Sequence, residues 1–423
     1  MQYKKYAVGP YNLHIIKTNK FKKIRVQVYF KRVVNKDEIT KRVILSNILF
    51  ESNANYKTKR ELTIAGEDLY SIQGSGYTTL SGNYSLMIFN ISFLNEKYTE
   101  PGMNEKSILY LMNLLFNPNI INKGFDSNSL KLVKNNIEQV IKSTKESSTY
   151  LSRQRLLEEM GSKMPYSFHN DGYLEDLDSI NESNLYEYYQ DVLKSDVVDI
   201  FICGDVDLID IKKIISNHFK IKTIKKPGLS HIIEHKKTRM RNRIVKEKKS
   251  INQSQLLIGY KLVGLTDFER SYVLPIYSHI LGGSADSKLF KSVREKNSLC
   301  YTIHSSIMQV SNIMIINAGI DKSNYRKALS LIKKEVTQMR SGNIEQADLD
   351  NAILAYISSA KEMLDSPKGI INNHVTQEYL NTDSLEVRMK KVKTVTIDMV
   401  SKLSNKIFSD TVYLLEGIND EQE

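Results

Sequence analysis

Leu281-Gly282-Gly283-Ser284-Ala285-Asp286-Ser287-Lys288-Leu289-Phe290-Lys291-Ser292-Val293-Arg294-Glu295-Lys296-Asn297-Ser298-Leu299-Cys300-Tyr301 is the stretch that decides how this chain is read. The two glycines make a turn, and Ser284 can cap a following helix with Asp286 in its first turn, where an acidic side chain complements the helix dipole. Leu289, Phe290 and Val293 form one apolar face at helical spacing, with Arg294 at its edge. Asn297-Ser298 ends the helix, after which Leu299, Tyr301 and Ile303 alternate with Cys300, Thr302 and His304 as a strand would. A helix that turns straight into a strand can bring a guanidinium and a phenol close together, where they could hold a peptide carbonyl or a developing oxyanion. Taken on those residues alone, a surface arginine and a sheet tyrosine account for the pair more simply.

Outward from this segment, the chain repeats itself. A helical pattern over 185–192 precedes Ser195-Asp196, an apolar run over 197–203 and Gly204-Asp205-Val206-Asp207. A second helical pattern over 400–407 precedes Ser409-Asp410, an apolar run over 412–415 and Gly417-Ile418-Asn419-Asp420, about 213 residues later. Two structurally related halves are the natural reading. Each half starts with strands and continues with helices. Strand patterns cover 24–30, 84–93, 256–260, 299–307 and 313–320, and helical patterns cover 105–116, 129–141, 185–193, 325–339 and 345–364. This is an α+β class with largely antiparallel sheets packed with helices. Turn residues at Lys225-Lys226-Pro227-Gly228 place the boundary, giving a domain over 1–225, a basic linker over 226–250 and a domain over 251–423.

Composition excludes several classes. At 423 residues the chain exceeds one ordinary core, and 41% apolar with 26% charged residues is globular. The first twenty residues lack an apolar signal-peptide core, and no stretch approaches the roughly 18 residues of a membrane helix. Cys203 and Cys300 have no metal spacing around them, and Cys203 sits in an apolar run as a buried free thiol. These features predict a cytoplasmic protein that spans no membrane. The net charge of +12 would suit an anionic partner, but the dense basic cluster over 236–249 lacks interleaved aromatics for stacking on bases. It reads as a solvated linker, and no nucleic-acid partner is expected.

The string Gly-Gly-x-x-x-Ser-x-Leu-Phe-x-x-Val-Arg-Glu-Lys-x-x-Leu-x-Tyr, from Gly282 to Tyr301, closely resembles the C-terminal domain signature of the pitrilysin/insulinase family of zinc peptidases. Ala318-Gly319, the helix over 325–339, Gly342-Asn343-Ile344, Val395-Thr396-Ile397-Asp398-Met399-Val400 and Pro165-Tyr166 are similar as well. The resemblance implies that the two halves face each other as a clam-like chamber. It also implies that Arg294 and Tyr301 contact the substrate backbone beside a zinc-bound water.

That family holds zinc with an inverted His-x-x-Glu-His on a first-domain helix and a distal Glu roughly 75 residues later, a set of two imidazoles, a carboxylate base and an open position. Here the matching helix is 40–53, and the five motif positions fall on Val43, Ile44, Leu45, Ser46 and Asn47, none of which binds zinc usefully. Glu138 is a nearby distal carboxylate without histidine partners. His231-Ile232-Ile233-Glu234-His235 does spell the inverted motif, and on a helix it would place both histidines on one face. It lies at the domain boundary, however, and 300–320 supplies no Asp or Glu as a third ligand. The resemblance therefore implies a catalytically incomplete, YfmF-like bacterial subunit with no metal of its own. Such a subunit forms a heterodimer with a zinc-bearing sister chain, which supplies zinc, water and base, while Arg294 and Tyr301 clamp a peptide. The alternatives are an autonomous zinc peptidase using His231, Glu234 and His235, or a non-enzymatic scaffold or binding protein.

Overall fold

Strand β3 (Lys23–Val33) shows how the sheets arise: Ile24, Val26, Val28 and Phe30 point to one face, and the strand pairs antiparallel along its length with β5 (Tyr84–Leu94). In the computed structural model, which describes residues 1–221 and 228–418, the chain forms two compact units. The first holds β1 (Gln2–Ala7), β2 (Asn12–Lys17), β3, β4 (Gln73–Ser81), β5, a short ribbon of β6 (Ile120–Ile121) with β7 (Gly124–Phe125), and β8 (Val197–Gly204). Its main sheet runs β1-β2-β8-β3-β5-β4. The second holds β9 (Arg243–Lys249), β10 (Ser254–Leu262), β11 (Cys300–Met308), β12 (Ile313–Ile320) and β13 (Ile407–Gly417), in the order β11-β12-β10-β13-β9.

Read from the other end, the second sheet repeats the first without β1. In each, one parallel pair (β2 with β8, β9 with β13) adjoins antiparallel strands. The register agrees to the residue: Lys17 pairs with Gly204 and Lys249 with Gly417, and 417 minus 204 is 213. Both glycines are close-approach positions. A Cβ on Gly204 would lie 2.8 Å from Ile24 Cγ1, and one on Gly417 would lie 2.4 Å from the Ile251 carbonyl oxygen. The α+β class and the repeated halves are therefore as expected. No described helix is long and apolar enough to cross a membrane.

The Ser-Asp pair of the repeat needs correction. Asp196 follows the helix Glu182–Ser195, whereas Ser409 and Asp410 lie inside β13, where the register slips past Asp410 in a bulge. What the two aspartates share is burial against two cations. Asp196 meets Arg32 at 2.5 Å and Arg42 at 2.9 Å, and Asp410 meets Arg239 at 3.2 Å and Lys261 at 2.9 Å. Asn419 and Asp420, the last part of the repeat, lie outside the described residues, as do Lys225-Lys226-Pro227 of the expected boundary.

The division at 225–250 also differs from the structure, because each unit borrows chain from the other half. Residues 144–168 pack with the second unit and 363–375 with the first. The reason lies in β10, which is buried on both faces. Leu256 and Ile258 join the helix-covered core, while Leu257, Ile313, Ile315, Tyr413 and Leu415 face the other way and need a cover of their own. Leu156, Leu157 and Met160 of the helix Ser148–Gly161 supply it, together with Tyr166. The described part of the expected linker, 228–250, is not free chain either: β9 closes the second sheet, Arg239 is tied to Asp410 and Arg243 to Glu159.

In the first unit the borrowed segment brings His374, which is buried and stacks on Tyr3 with ring centroids 4.4 Å apart. Burial first, and then His14, push the His374 imidazole down to about 4. The folded state thus binds this proton more weakly than the unfolded chain does. The His374 contribution to the stability of the first unit is expected to fall as pH drops from about 6.5 to about 4, by on the order of 2 kcal/mol, and to level off below. Urea midpoints measured across that range check this, and His374→Phe should flatten the profile.

Candidate functional site

The helix Leu274–Gly282 runs into the quoted segment, and Gly282 is required where it ends. A Cβ there would lie 2.7 Å from the Ser305 amide nitrogen and 3.0 Å from Leu289 Cδ1. This close approach is fixed by the Ser305 hydroxyl, which donates to the Ser278 carbonyl at 2.7 Å. The next helix starts later than expected. Ser284 does not cap it. The Ser287 hydroxyl instead donates to the Ser284 carbonyl at 2.6 Å, and the Ser287 carbonyl accepts from the Lys291 amide at 3.0 Å, opening the helix at that residue.

From Phe290–Glu295 the helix widens to a π-helix, closed by the Lys296 amide on the Lys291 carbonyl at 3.0 Å. Such widened turns occur often at functional sites. Leu289 and Val293 are fully buried, while Arg294 is exposed with its guanidinium 4.5 Å from the Phe290 ring centroid. Ser298, in the left-handed region at φ 50°, ends the helix, and its amide donates to the Arg294 carbonyl at 3.0 Å.

The strand that follows departs from simple alternation. Cys300 pairs with Ile320 and Thr302 with Gly319, so Tyr301 is the extra residue of a β-bulge. Alternation would have put Tyr301 on the face of Leu299 and Ile303, which are buried. The bulge turns it out to 58% exposure, with its hydroxyl 3.3 Å from Asp321 Oδ1. Arg294 and Tyr301 thus emerge on either side of one helix-to-strand junction. Among the described residues Arg294 makes no ion pair, so its donors are open to a ligand. Asp321, at the end of β12, was not anticipated, because only the register of β11 against β12 brings it to Tyr301. Burial pushes the Cys300 thiol up to about 11 and the Cys203 thiol up to about 12, so both are unreactive core thiols.

The positions that would carry zinc ligands lie on the helix Ile39–Ile48 and are occupied by packing. Val43, Ile44, Leu45 and Ser46 are buried, and the Ser46 hydroxyl and the Asn47 amide both donate to the Val43 carbonyl, at 2.9 and 2.8 Å. Backbone meets backbone at this point, since a Cβ on Gly76 would lie 2.0 Å from the Ser46 carbonyl oxygen. The polar residue beneath is Arg42, which donates to Asp196 at 2.9 Å and to the Phe30 carbonyl at 2.8 Å. Burial works against the Arg42 cation, and Asp196 reverses the effect. Glu138 pairs with Lys142 at 2.6 Å on its own helix. Among the described residues no three His, Cys, Asp or Glu side chains are grouped to hold a metal ion, and the residues present do not fit one.

The inverted motif at 231–235 is irregular chain rather than helix, so its two histidines do not share a helical face. Each side chain is used locally. His231 stacks on Tyr379 at 4.8 Å, Glu234 accepts from Arg270 at 2.7 Å, and His235 Nε2 lies 2.9 Å from the Ser311 carbonyl oxygen. Burial lowers the pKa of His235, as a packed neutral imidazole requires. The autonomous zinc site is therefore overturned.

Residues 179–356 match the family model described as Peptidase M16 inactive domain. Over that stretch the chain is similar to inactive domains of M16 peptidases. It is 27% identical over 413 residues to the "Probable inactive metalloprotease YmfF" of Bacillus subtilis (strain 168), covering 97% of this chain and 96% of that protein. It is 26% identical over 302 residues to the "Uncharacterized zinc protease YmxG" of the same organism, covering 68% and 69% of the two. A conserved protein from Enterococcus faecalis V583 shares the fold of this chain at a TM-score of 0.92 and 23% identity, over 99% of this chain and all (100%) of that one. A peptidase M16 inactive domain from Pseudomonas fluorescens does so at 0.81 and 16% identity, covering 100% of both chains.

Proposed function

We propose that this chain is the non-catalytic subunit of a heterodimeric peptidase, holding an extended peptide for a zinc-bearing sister chain. The observation that carries the reading is the bulge at Tyr301. It spends one irregular residue on exposing a phenol seven positions after the exposed Arg294, which makes no ion pair among the described residues, while the zinc positions 43–46 are filled by packing and 47 holds an asparagine. The guanidinium of Arg294 donates to a peptide carbonyl oxygen, and the Tyr301 hydroxyl, on exchanging its long bond to Asp321 for the substrate, donates to the oxygen on which charge develops. The sister chain supplies the metal, the attacking water and the general base. The similarity to the "Probable inactive metalloprotease YmfF" of Bacillus subtilis supports the absence of chemistry in this chain.

With the reconstituted pair, Arg294→Ala and Tyr301→Phe are each expected to lower peptide cleavage by about tenfold or more, with zinc content of the pair unchanged. Cleavage at the native rate in both variants would falsify the clamp. Failure of the chain to co-purify with any zinc-bearing homologue would leave the scaffold reading instead.

A further inference from the structure

The second sheet has a face that changes character along its length. Under the helix Ser148–Gly161 it is apolar, with Leu257, Ile313 and Ile315 against Leu156, Leu157 and Met160. Beyond that cover it turns polar. His304 pairs across the strands with Asn317, and Thr302 pairs with Gly319, whose other neighbour is Gln255. Arg153, one helical turn before Leu156, reaches over this polar end and donates to the Ser306 hydroxyl at 3.4 Å.

Two groups here lack what their chemistry asks for. Arg153 is partly buried, and burial lowers its pKa, yet among the described residues it has no carboxylate partner and one long hydrogen bond for five donors. Asn317 is 9% exposed, and its side-chain oxygen has no hydrogen-bond partner. A buried acceptor left unpaired carries its full desolvation cost, and a desolvated guanidinium favours a carboxylate. Arg153 and Asn317 together ask for an anion and an N–H donor side by side. The neighbouring His304, whose pKa is lowered by burial and then by Arg153, adds a neutral imidazole rather than a competing charge.

We propose that Arg153, His304 and Asn317 form a subsite for an acidic residue of an extended peptide, Arg153 taking the side-chain carboxylate and Asn317 Oδ1 accepting a peptide N–H. The inference rests on the peptide-holding reading of Arg294 and Tyr301 and adds a substrate class to it. His304 lies three residues beyond Tyr301 on β11, about 10 Å at strand rise, so the acidic residue falls about three positions from the peptide unit held at Tyr301.

The test uses the full chain and pools of fluorescent octapeptides that carry Glu, Gln or Lys at one central position and mixed Ala, Val and Ser elsewhere. By anisotropy the native chain is expected to bind the Glu pool about tenfold more tightly than the Gln pool, and the Lys pool most weakly. Arg153→Gln should erase the Glu preference and Arg153→Lys retain part of it, while Arg294→Ala weakens the Glu and Gln pools alike. Because the readout is a ratio within one variant, a smaller folded fraction does not imitate it. Equal binding of the Glu and Gln pools by the native chain, or a preference that survives Arg153→Gln, overturns the subsite and leaves the clamp standing. No binding of any pool by the native chain overturns both.

Discussion

Replacing Asp196 by alanine is expected to destabilise the first unit by about 3–5 kcal/mol, because it leaves the Arg42 cation buried without a counter-charge. The Asp196 carboxylate is fully buried and receives Arg42 at 2.9 Å and Arg32 at 2.5 Å. The two arginines differ in what remains to them. Arg32 keeps Glu38 at 2.7 Å and Asp191 at 2.8 Å near the surface, whereas Arg42 keeps backbone carbonyls and the Tyr188 hydroxyl but, among the described residues, no second carboxylate. The cost therefore comes mainly from Arg42. Removing both charges together, as Arg42→Met with Asp196→Leu, should restore much of the loss, since a packed apolar pair of similar volume often matches a buried ion pair. Urea unfolding of the single and double variants measures the difference. A double variant as unstable as Asp196→Ala would mean that hydrogen-bond geometry, rather than the stranded charge, holds this region together.

Leu156→Ala should cost about 2–5 kcal/mol, and the loss should appear in the second unit although residue 156 lies in the first half of the chain. Leu156 is fully buried, in the cluster formed with Leu257, Ile315 and Tyr413. Amide exchange separates the two possibilities. Protection of β10 and β13 should fall while that of β3 and β8 is kept. The reverse pattern would show that residues 144–168 belong energetically with the sheet that precedes them in sequence.

Both predictions turn on features with no local signal. The acidity of position 196 is visible in the chain, and the repeat even pairs it with Asp410, but nothing nearby names Arg42 or Lys261 as the partner. The candidate site divides in the same way. Arg294 and Tyr301 were legible from their surroundings. Asp321, Arg153 and Asn317 were not, because strand register and a borrowed helix bring them to the site.

The sequence by itself determined the central strands of both sheets, several of the helices, the duplication and the missing zinc ligands. These depend on spacings of two to four residues, or on residue identity at a fixed position. The apolar alternation of β3, the matched glycines at 204 and 417, and Val43 through Asn47 all fall in this class. Only the tertiary structure decided which segment covers which sheet, that Tyr301 sits on a bulge, and that His231 and His235 lie in non-helical chain. A strand can announce that both its faces are buried, as β10 does, but it cannot say what buries them. That choice is a competition among all apolar surfaces of the chain, and it is settled by volume and closure rather than by the spacing of neighbours.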